Sequence, residues 1–94
     1  MKSAYNGYSI AQNYIGYLYE NGYELEKSYE EAVKLYTRSA EQGNIESQIS
    51  LSIMYEYGKN VEKSKEEAIK WYKLAGNQGD EVALFYLNEI IKNI

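Results

Sequence analysis

Apolar and small side chains recur along this chain every three or four residues. Ala11, Ile15 and Leu18 follow this spacing early in the sequence, and Ala32 and Tyr36 follow it further on. Side chains spaced in this way lie on one face of an α-helix. The pattern predicts amphipathic helices, with the face that carries Ala11, Ile15 and Leu18 turned toward the core.

Glycine and capping residues mark where these helices end and begin. Gly22 and Gly43 follow the first two periodic segments, and glycine is favoured just after a helix because it adopts the left-handed conformation freely. Ser28 followed by Glu31 fits a capping box, in which each side chain accepts a free backbone N–H of the first turn. Asn44 is placed to cap the next helix. The same signals recur at Gly58, Ser64, Glu67, Gly79 and Asp80.

The sequence repeats itself with a period of 36 residues. Fourteen of the 36 positions in residues 7–42 are identical in residues 43–78, without a gap. One such helical hairpin cannot bury its own apolar face, but stacked hairpins bury a continuous core. We therefore predict an all-α superhelix, or solenoid, of helix-turn-helix repeats. It would be a single array over 1–94 with repeat one at 7–42, repeat two at 43–78 and part of a third at 79–94. Its five helices would follow in the order A-B-A-B-A.

The repeated residues resemble the motif of the SEL-one-like repeat (SLR) family, a relative of the tetratricopeptide repeat. In repeat one these are Gly7, Ala11-Gln12, Ile15-Gly16-Tyr17-Leu18-Tyr19, Gly22, Ala32, Leu35-Tyr36, Ser39-Ala40 and Gly43. In repeat two they are Gly43, Ser47-Gln48, Leu51-Ser52-Ile53-Met54-Tyr55, Gly58, Ala68, Trp71-Tyr72, Ala75-Gly76 and Gly79. The glycine at position 16 is replaced by Ser52 in repeat two and by Asn88 in the third unit. The chain also lacks the cysteines that form disulfides in a bacterial branch of the family. The resemblance implies a scaffold or adaptor.

Composition and charge limit the ligands and locations that we expect for this chain. With no Cys and no His, the common zinc and iron sites cannot form, and we expect no metal and no cofactor. The net charge is −4, and residues 59–94 carry six basic and six acidic groups, so neither half has the basic surface that nucleic acid requires. No run approaches the ~20 apolar residues of a membrane span. We expect no membrane insertion and favour a cytoplasmic location, because no signal peptide or transmembrane segment is visible.

The carboxylates are the only candidate catalytic groups, and their repetition argues against catalysis. Glu30 and Glu31 recur as Glu66 and Glu67, each time in the first turn of helix B, where the helix dipole favours negative charge. Catalytic carboxylates work in unlike environments. We predict no catalytic residue and no enzyme activity, and expect Glu30 to pair with Lys34, four residues on, with the equivalent pair in repeat two.

Two further features have both a binding and a packing interpretation. Lysines between Lys59 and Lys73 could form a patch for acidic groups, but interleaved glutamates favour a solvated helix face. The chain contains 12 Tyr, which could stack on bases or sugars. Since Tyr36 and Tyr72 occupy equivalent positions, we predict that these rings belong to the packing scheme.

Positions that differ between repeats are the best candidates for specific binding. On the A helices, the side away from the predicted core face carries a stripe of aromatic, aliphatic and acidic residues. We predict this stripe as a partner-binding surface on the concave face: Asn13, Tyr17, Glu20, Ile49, Ile53, Tyr57, Phe85 and Glu89. Exposed apolar patches commonly mark protein contacts. The alternative is that part of the stripe packs between adjacent A helices.

Two functions fit these observations. The first is a non-enzymatic scaffold or adaptor that binds a peptide or a partner helix of another protein. The alternative is a structural segment that forms homo-oligomers through exposed repeat ends, or belongs to a longer repeat array attached to another functional domain.

Overall fold

The computed structural model describes residues 7–93, which form five α-helices and contain no β-strand. The helices are α1 (Gly7–Asn21), α2 (Tyr29–Glu41), α3 (Ile45–Tyr57), α4 (Lys65–Asn77) and α5 (Glu81–Lys92). The all-α solenoid with helices in the order A-B-A-B-A is confirmed. Residues 1–6 and 94 of the predicted array lie outside the described range.

Each helix packs mainly against the helices that precede and follow it in the chain. The Cα atoms extend over 39 × 34 × 16 Å, so the molecule is flat. Nearest-neighbour packing of this kind is what makes a repeat protein quasi-one-dimensional, since distant repeats do not touch.

Two clusters of buried side chains hold the helices together. The first joins α2, α3 and α4 and includes Tyr36, Leu51 and Trp71. The second joins α4 to α5 and includes Tyr72 and Ala83. Because Trp71 comes from the second repeat and Tyr36 from the first, the first cluster also fixes one repeat against the other. The prediction that these aromatic rings serve packing is confirmed.

The predicted serine caps are confirmed, but only half of each capping box forms. Ser28 Oγ accepts the backbone N–H of Glu31 at 3.2 Å, and Ser64 does the same at the start of α4. Glu31 does not bond back to Ser28, because the Ser28 N–H donates to the Tyr19 carbonyl at 2.9 Å. The equivalent bond joins Ser64 to Tyr55 at 2.9 Å. The loop between helix A and helix B of each repeat is thus hydrogen-bonded to the A helix that precedes it.

The predicted pair of Lys34 with Glu30 is wrong. Lys34 Nζ lies 3.5 Å from the Glu31 carboxylate instead, and the equivalent lysine of α4 pairs with Glu67 at 3.8 Å and not with Glu66. Residues three and four apart are both neighbours on a helix surface, so spacing alone does not choose between them. These pairs are exposed and contribute little to stability.

Helix α1 turns a different face to the core from the one predicted. Its buried residues are Ser9, Gln12 and Gly16. Ala11 is exposed and Ile15 is 37% exposed, so the expectation that they face the core is wrong. The equivalent of Ile15 in α3 is Leu51, which is 1% exposed because α2 and α4 side chains pack against it. Within the described residues, no helix precedes α1 to cover Ile15 in the same way.

A tyrosine of helix B is held by helix A within each complete repeat. The Tyr36 ring lies against Gly16, where a Cβ atom would stand 3.1 Å from the ring. The Tyr36 hydroxyl donates a hydrogen bond to Glu20 Oε1 at 2.8 Å, and Tyr72 donates to Glu56 Oε1 at 2.9 Å. We call these hydroxyl–carboxylate contacts the tyrosine clasps. Burial first, and then the carboxylate acceptor, raises the pKa of both hydroxyls well above the usual range.

The A–B loops each contain one non-glycine residue with a left-handed backbone. Glu24 has φ 63° and its equivalent Asn60 has φ 65°. Asparagine adopts this conformation more often than glutamate, because its short polar side chain can hydrogen-bond the local backbone. Repeat two therefore has the residue that suits this backbone better, although Asn60 Nδ2 is buried without a hydrogen-bond partner within residues 7–93.

Exchanging these residues tests the strain directly. Glu24→Asn should raise the free energy of unfolding by about 0.5–1 kcal/mol, because it relieves the left-handed strain of an exposed residue. Chemical denaturation followed by circular dichroism measures the change. The mirror variant Asn60→Glu should lose a similar amount, and equal stability of all three chains would contradict the assignment of strain.

The tyrosine clasps should make the protein less stable in alkali. Unfolded tyrosines ionise near pH 10, whereas Tyr36 and Tyr72 hold their protons more tightly in the folded chain. Above this pH the unfolded state therefore binds fewer protons, and the free energy of unfolding falls as pH rises, by up to ~1.4 kcal/mol per pH unit for each tyrosine.

The double variant Tyr36→Phe, Tyr72→Phe should show a shallower fall above pH ~10 than the wild type. Denaturant titrations between neutral and strongly alkaline pH measure both slopes. The control is Tyr8→Phe, Tyr14→Phe, which removes two tyrosines that are 69% and 59% exposed and should keep the wild-type slope. Parallel curves for all three chains would show that the clasps do not couple to protonation.

Candidate functional site

An open groove runs between α1 and α3. It has one part of about 490 Å³ and another of about 280 Å³, and these parts adjoin because both are lined by Tyr17, Tyr36 and Ser50. Helix α1 contributes Ile10, Asn13, Tyr14, Tyr17 and Glu20. Helix α3 contributes Glu46, Ile49, Ser50, Ile53 and Met54. Tyr36 of α2 and Lys59 complete the lining, and we call this surface the α1–α3 groove.

A small polar network holds α1 to α3 beside the groove. Ser47 Oγ lies 2.6 Å from Asn13 Oδ1 and 2.8 Å from Ser39 Oγ. The single hydroxyl proton of Ser47 serves one of these acceptors at a time. Ser39 in turn donates to the Ser9 carbonyl at 2.7 Å. Because Ser39 and Ser47 are fully buried, these bonds fix the separation of the two helices without bulky side chains.

An ion pair closes the end of the groove near the C-terminus of α1. Glu20 accepts the Tyr36 clasp and lies 3.3 Å from Lys59 Nζ. Its side chain is only 16% exposed, and its charge is compensated by the lysine. Since Glu20 belongs to the first repeat and Lys59 to the loop after α3, the pair also links the two repeats. The raised pKa of Tyr36 keeps its hydroxyl a donor to this carboxylate.

The walls of the groove are aromatic and aliphatic and face solvent. Tyr14 is 59%, Tyr17 47% and Ile53 37% exposed. The Tyr17 ring also lies 5.8 Å from that of Tyr23, in a tilted arrangement. Tyrosine combines a large apolar face with a hydroxyl that can stay hydrated. These side chains can therefore be exposed in the free protein and still contact an apolar side chain of a partner.

The groove brings five of the eight predicted binding residues together. They are Asn13, Tyr17, Glu20, Ile49 and Ile53. Two of these, Asn13 and Glu20, are half-buried and already bonded within the chain.

The other three predicted residues do not line the groove. Tyr57 is 70% exposed at the end of α3. Phe85 is 60% exposed and lies against Tyr86 on α5, with the ring centroids 5.6 Å apart. Glu89 pairs with Lys92 at 3.5 Å.

Four exposed residues of the groove were missed from the sequence: Ile10, Tyr14 and Glu46 on the A helices, and Lys59 in the loop after α3. The three on the helices were missed because the apolar spacing of Ala11 and Ile15 set the rotation of the A helices incorrectly. A usable signal existed, since Ile10 is equivalent to Glu46, and Tyr14 to Ser50. The small Gly16 marks the buried face of α1 and so sets the rotation of the helix. Positions that vary between repeats on the other faces would then have included these residues.

The rest of the described chain offers little that resembles a catalytic or metal site. Within residues 7–93, no three His, Cys, Asp or Glu side chains are grouped to hold a metal ion, and no helix is long and apolar enough to cross a membrane. A second depression, of about 530 Å³, lies between α2 and α4 beside Trp71 and Leu74. Lys70 Nζ stands 4.5 Å from the Trp71 ring centroid there.

Solved structures share this architecture. A Sel1 repeat protein from Oxalobacter formigenes matches 87% of this chain with a TM-score of 0.81 and 39% identity. The protective antigen c5321 of uropathogenic Escherichia coli strains, which displays an SLR fold, matches 94% with a TM-score of 0.82 and 39% identity. Cysteine-rich protein B of Helicobacter pylori matches 84% with a TM-score of 0.79 and 25% identity.

The chain spans only 34%, 19% and 59% of the length of these three proteins, respectively. A comparison with curated proteins finds no significant match. The family model for the Sel1 repeat matches residues 9–44 and 45–80, two consecutive segments that together cover most of the sequence. The chain therefore belongs to the Sel1 repeat family, whose helical repeats typically bind other proteins.

Proposed function

We propose that this chain is a non-enzymatic scaffold that binds a segment of another protein in the α1–α3 groove. The observation that carries the proposal is the exposure of Tyr14, Tyr17 and Ile53 along one continuous groove. Large apolar side chains gathered in this way favour protein contacts, and tyrosine is among the residues that most often dominate binding energy.

The groove is largely formed before any partner arrives. The Ser39–Ser47–Asn13 network and the Glu20–Lys59 pair hold its two helices at fixed separation. A preformed groove avoids the ordering cost that weakens many peptide complexes. Its elongated form between two helices fits an extended peptide or one side of a partner helix.

A catalytic role has less support than a binding role. The Sel1 repeat is a non-catalytic repeat fold, and the most buried carboxylate of the groove, Glu20, is occupied by Tyr36 and Lys59. A general acid or base has to reach the reacting group of the substrate, and an occupied carboxylate does not.

Peptide selection tests the groove and requires no identified partner. Short random peptides displayed on phage are selected on the wild-type chain, and the recovered sequences are synthesised for titration by fluorescence anisotropy. Tyr17→Ala should weaken their binding at least about tenfold, because it removes a central wall of the groove. The control is Tyr29→Ala on α2, whose tyrosine is 45% exposed against 47% for Tyr17 and should bind like the wild type.

Circular dichroism and thermal unfolding of each variant separate lost binding from lost folding. Tyr17→Ala that keeps its helicity and melting temperature, but loses the peptides, supports the groove. Equal binding by Tyr17→Ala and Tyr29→Ala would place the contacts elsewhere and refute the proposed site.

A second candidate function is self-association through the free face of α1. Tyr8 is 69% and Ile15 37% exposed, whereas their equivalents Asn44 and Leu51 are each 1% exposed in the second repeat. The same positions are thus covered by a neighbouring helix in one repeat and uncovered in the other. A second copy of the chain packing on this face would bury them.

Sedimentation equilibrium at several concentrations tests this second function. If copies associate through α1, the wild-type mass should rise with concentration, and Ile15→Lys should return it to that of a monomer because it places a charge on the buried contact. Ile53→Lys is the matched control, since Ile53 is also 37% exposed but lies in the groove. A monomeric wild type at all concentrations would exclude this function.

A further inference from the structure

The charges that line the α1–α3 groove are unevenly compensated. Glu20 and Lys59 neutralise each other at one end. Glu46 stands at the other end, exposed, and has no ion pair within residues 7–93. Its nearest polar contact is the Asn13 amide, whose Nδ2 lies 3.4 Å from Glu46 Oε1. The groove therefore carries one free negative charge, at a defined place.

A cavity with an apolar wall lies beside this charge. Glu46 and Ile10 also border an adjoining cavity of about 380 Å³, which is lined in addition by Asn13 and Asn44. Both amide oxygens accept hydrogen bonds from the buried Ser47, so the Glu46 carboxylate is the acceptor that this cavity offers to a partner. An exposed carboxylate suits a cation with N–H donors, and Ile10 suits the aliphatic stem of a long basic side chain.

We propose that the partner is a peptide segment with an arginine or lysine next to a large apolar side chain, and that Glu46 receives its positive charge. This inference rests on the proposed function of the α1–α3 groove. The basic group lies between Glu46 and Ile10, and the apolar neighbour lies between Tyr14 and Tyr17. The surrounding half of the chain favours the approach of a basic segment, because residues 1–58 carry four basic and eight acidic groups.

Parallel peptide selections test the charge preference. Random peptides on phage are selected on the wild-type chain and on Glu46→Lys. Wild-type binders should be enriched in arginine and lysine, and Glu46→Lys binders should shift toward aspartate and glutamate. The matched control is Glu30→Lys, which makes the same change at the equivalent position in the first turn of α2 and should select the same peptides as the wild type.

Titration of one wild-type peptide gives the size of the effect. Glu46→Gln should weaken its binding about twofold to fivefold, which is the range for an exposed ion pair, and Glu30→Gln should leave it unchanged. The difference between Glu46→Gln and wild type should shrink at high salt, because screening removes the attraction.

The outcomes separate this inference from the groove itself. Peptides that require Tyr17 but show neither basic enrichment nor sensitivity to Glu46→Gln overturn the charge preference and leave the groove in place. Peptides that bind Tyr17→Ala as tightly as the wild type overturn both the charge preference and the groove, and so does a selection that yields no binder. A wild-type mass that rises with concentration, and that only Glu46→Lys returns to a monomer, overturns the inference in favour of a second copy of the chain.

Discussion

The structure depends on burying a tyrosine ring between the two helices of a repeat. The ring of Tyr36 lies against Gly16, where an added Cβ atom would stand 3.1 Å from it, and the small Ser52 occupies the equivalent place in repeat two. A buried tyrosine also needs a partner for its hydroxyl, since an unpaired polar group inside a protein is costly. Glu20 and Glu56 supply that partner. The small residues opposite the rings and the partly buried carboxylates beside them both serve this one packing arrangement.

Those features of the fold that depend on local chemistry were predictable from the sequence. The four side-chain caps and the glycines after α1, α2, α3 and α4 each act over a few residues. The 36-residue period is visible directly as identical residues at equivalent positions. The rotation of the A helices was not predictable from apolar spacing. Helix α3 buries Ser47, Gln48 and Ser52 together with Leu51 and Met54, because neighbours cover it on more than one side. A helix covered in this way has no simple apolar stripe, and its buried polar residues are satisfied by bonds such as Gln48 Nε2 to the Ala40 carbonyl.

The candidate site could be located only in part for the same reason. Variation between repeats was the signal used, and three of the residues that it selects, Tyr17, Ile49 and Ile53, line the groove. The error in helix rotation excluded Tyr14 and Glu46, although both vary. Whether an acidic residue is free or paired depends on contacts between repeats, such as Glu20 with Lys59, 39 positions apart in the sequence. Pattern within a single repeat carries no information on such pairs.

The two walls of the groove come from different repeats, with Tyr14 and Tyr17 in the first and Ile49 and Ile53 in the second. The groove is therefore a property of the junction between two repeats, and no single repeat has it alone. When a gene for such an array duplicates, deletes or reorders a unit, each hairpin keeps the packing of its A helix against its B helix but acquires new neighbours. Each rearrangement then places different walls side by side, so the surface that a junction presents depends on the order of the repeats.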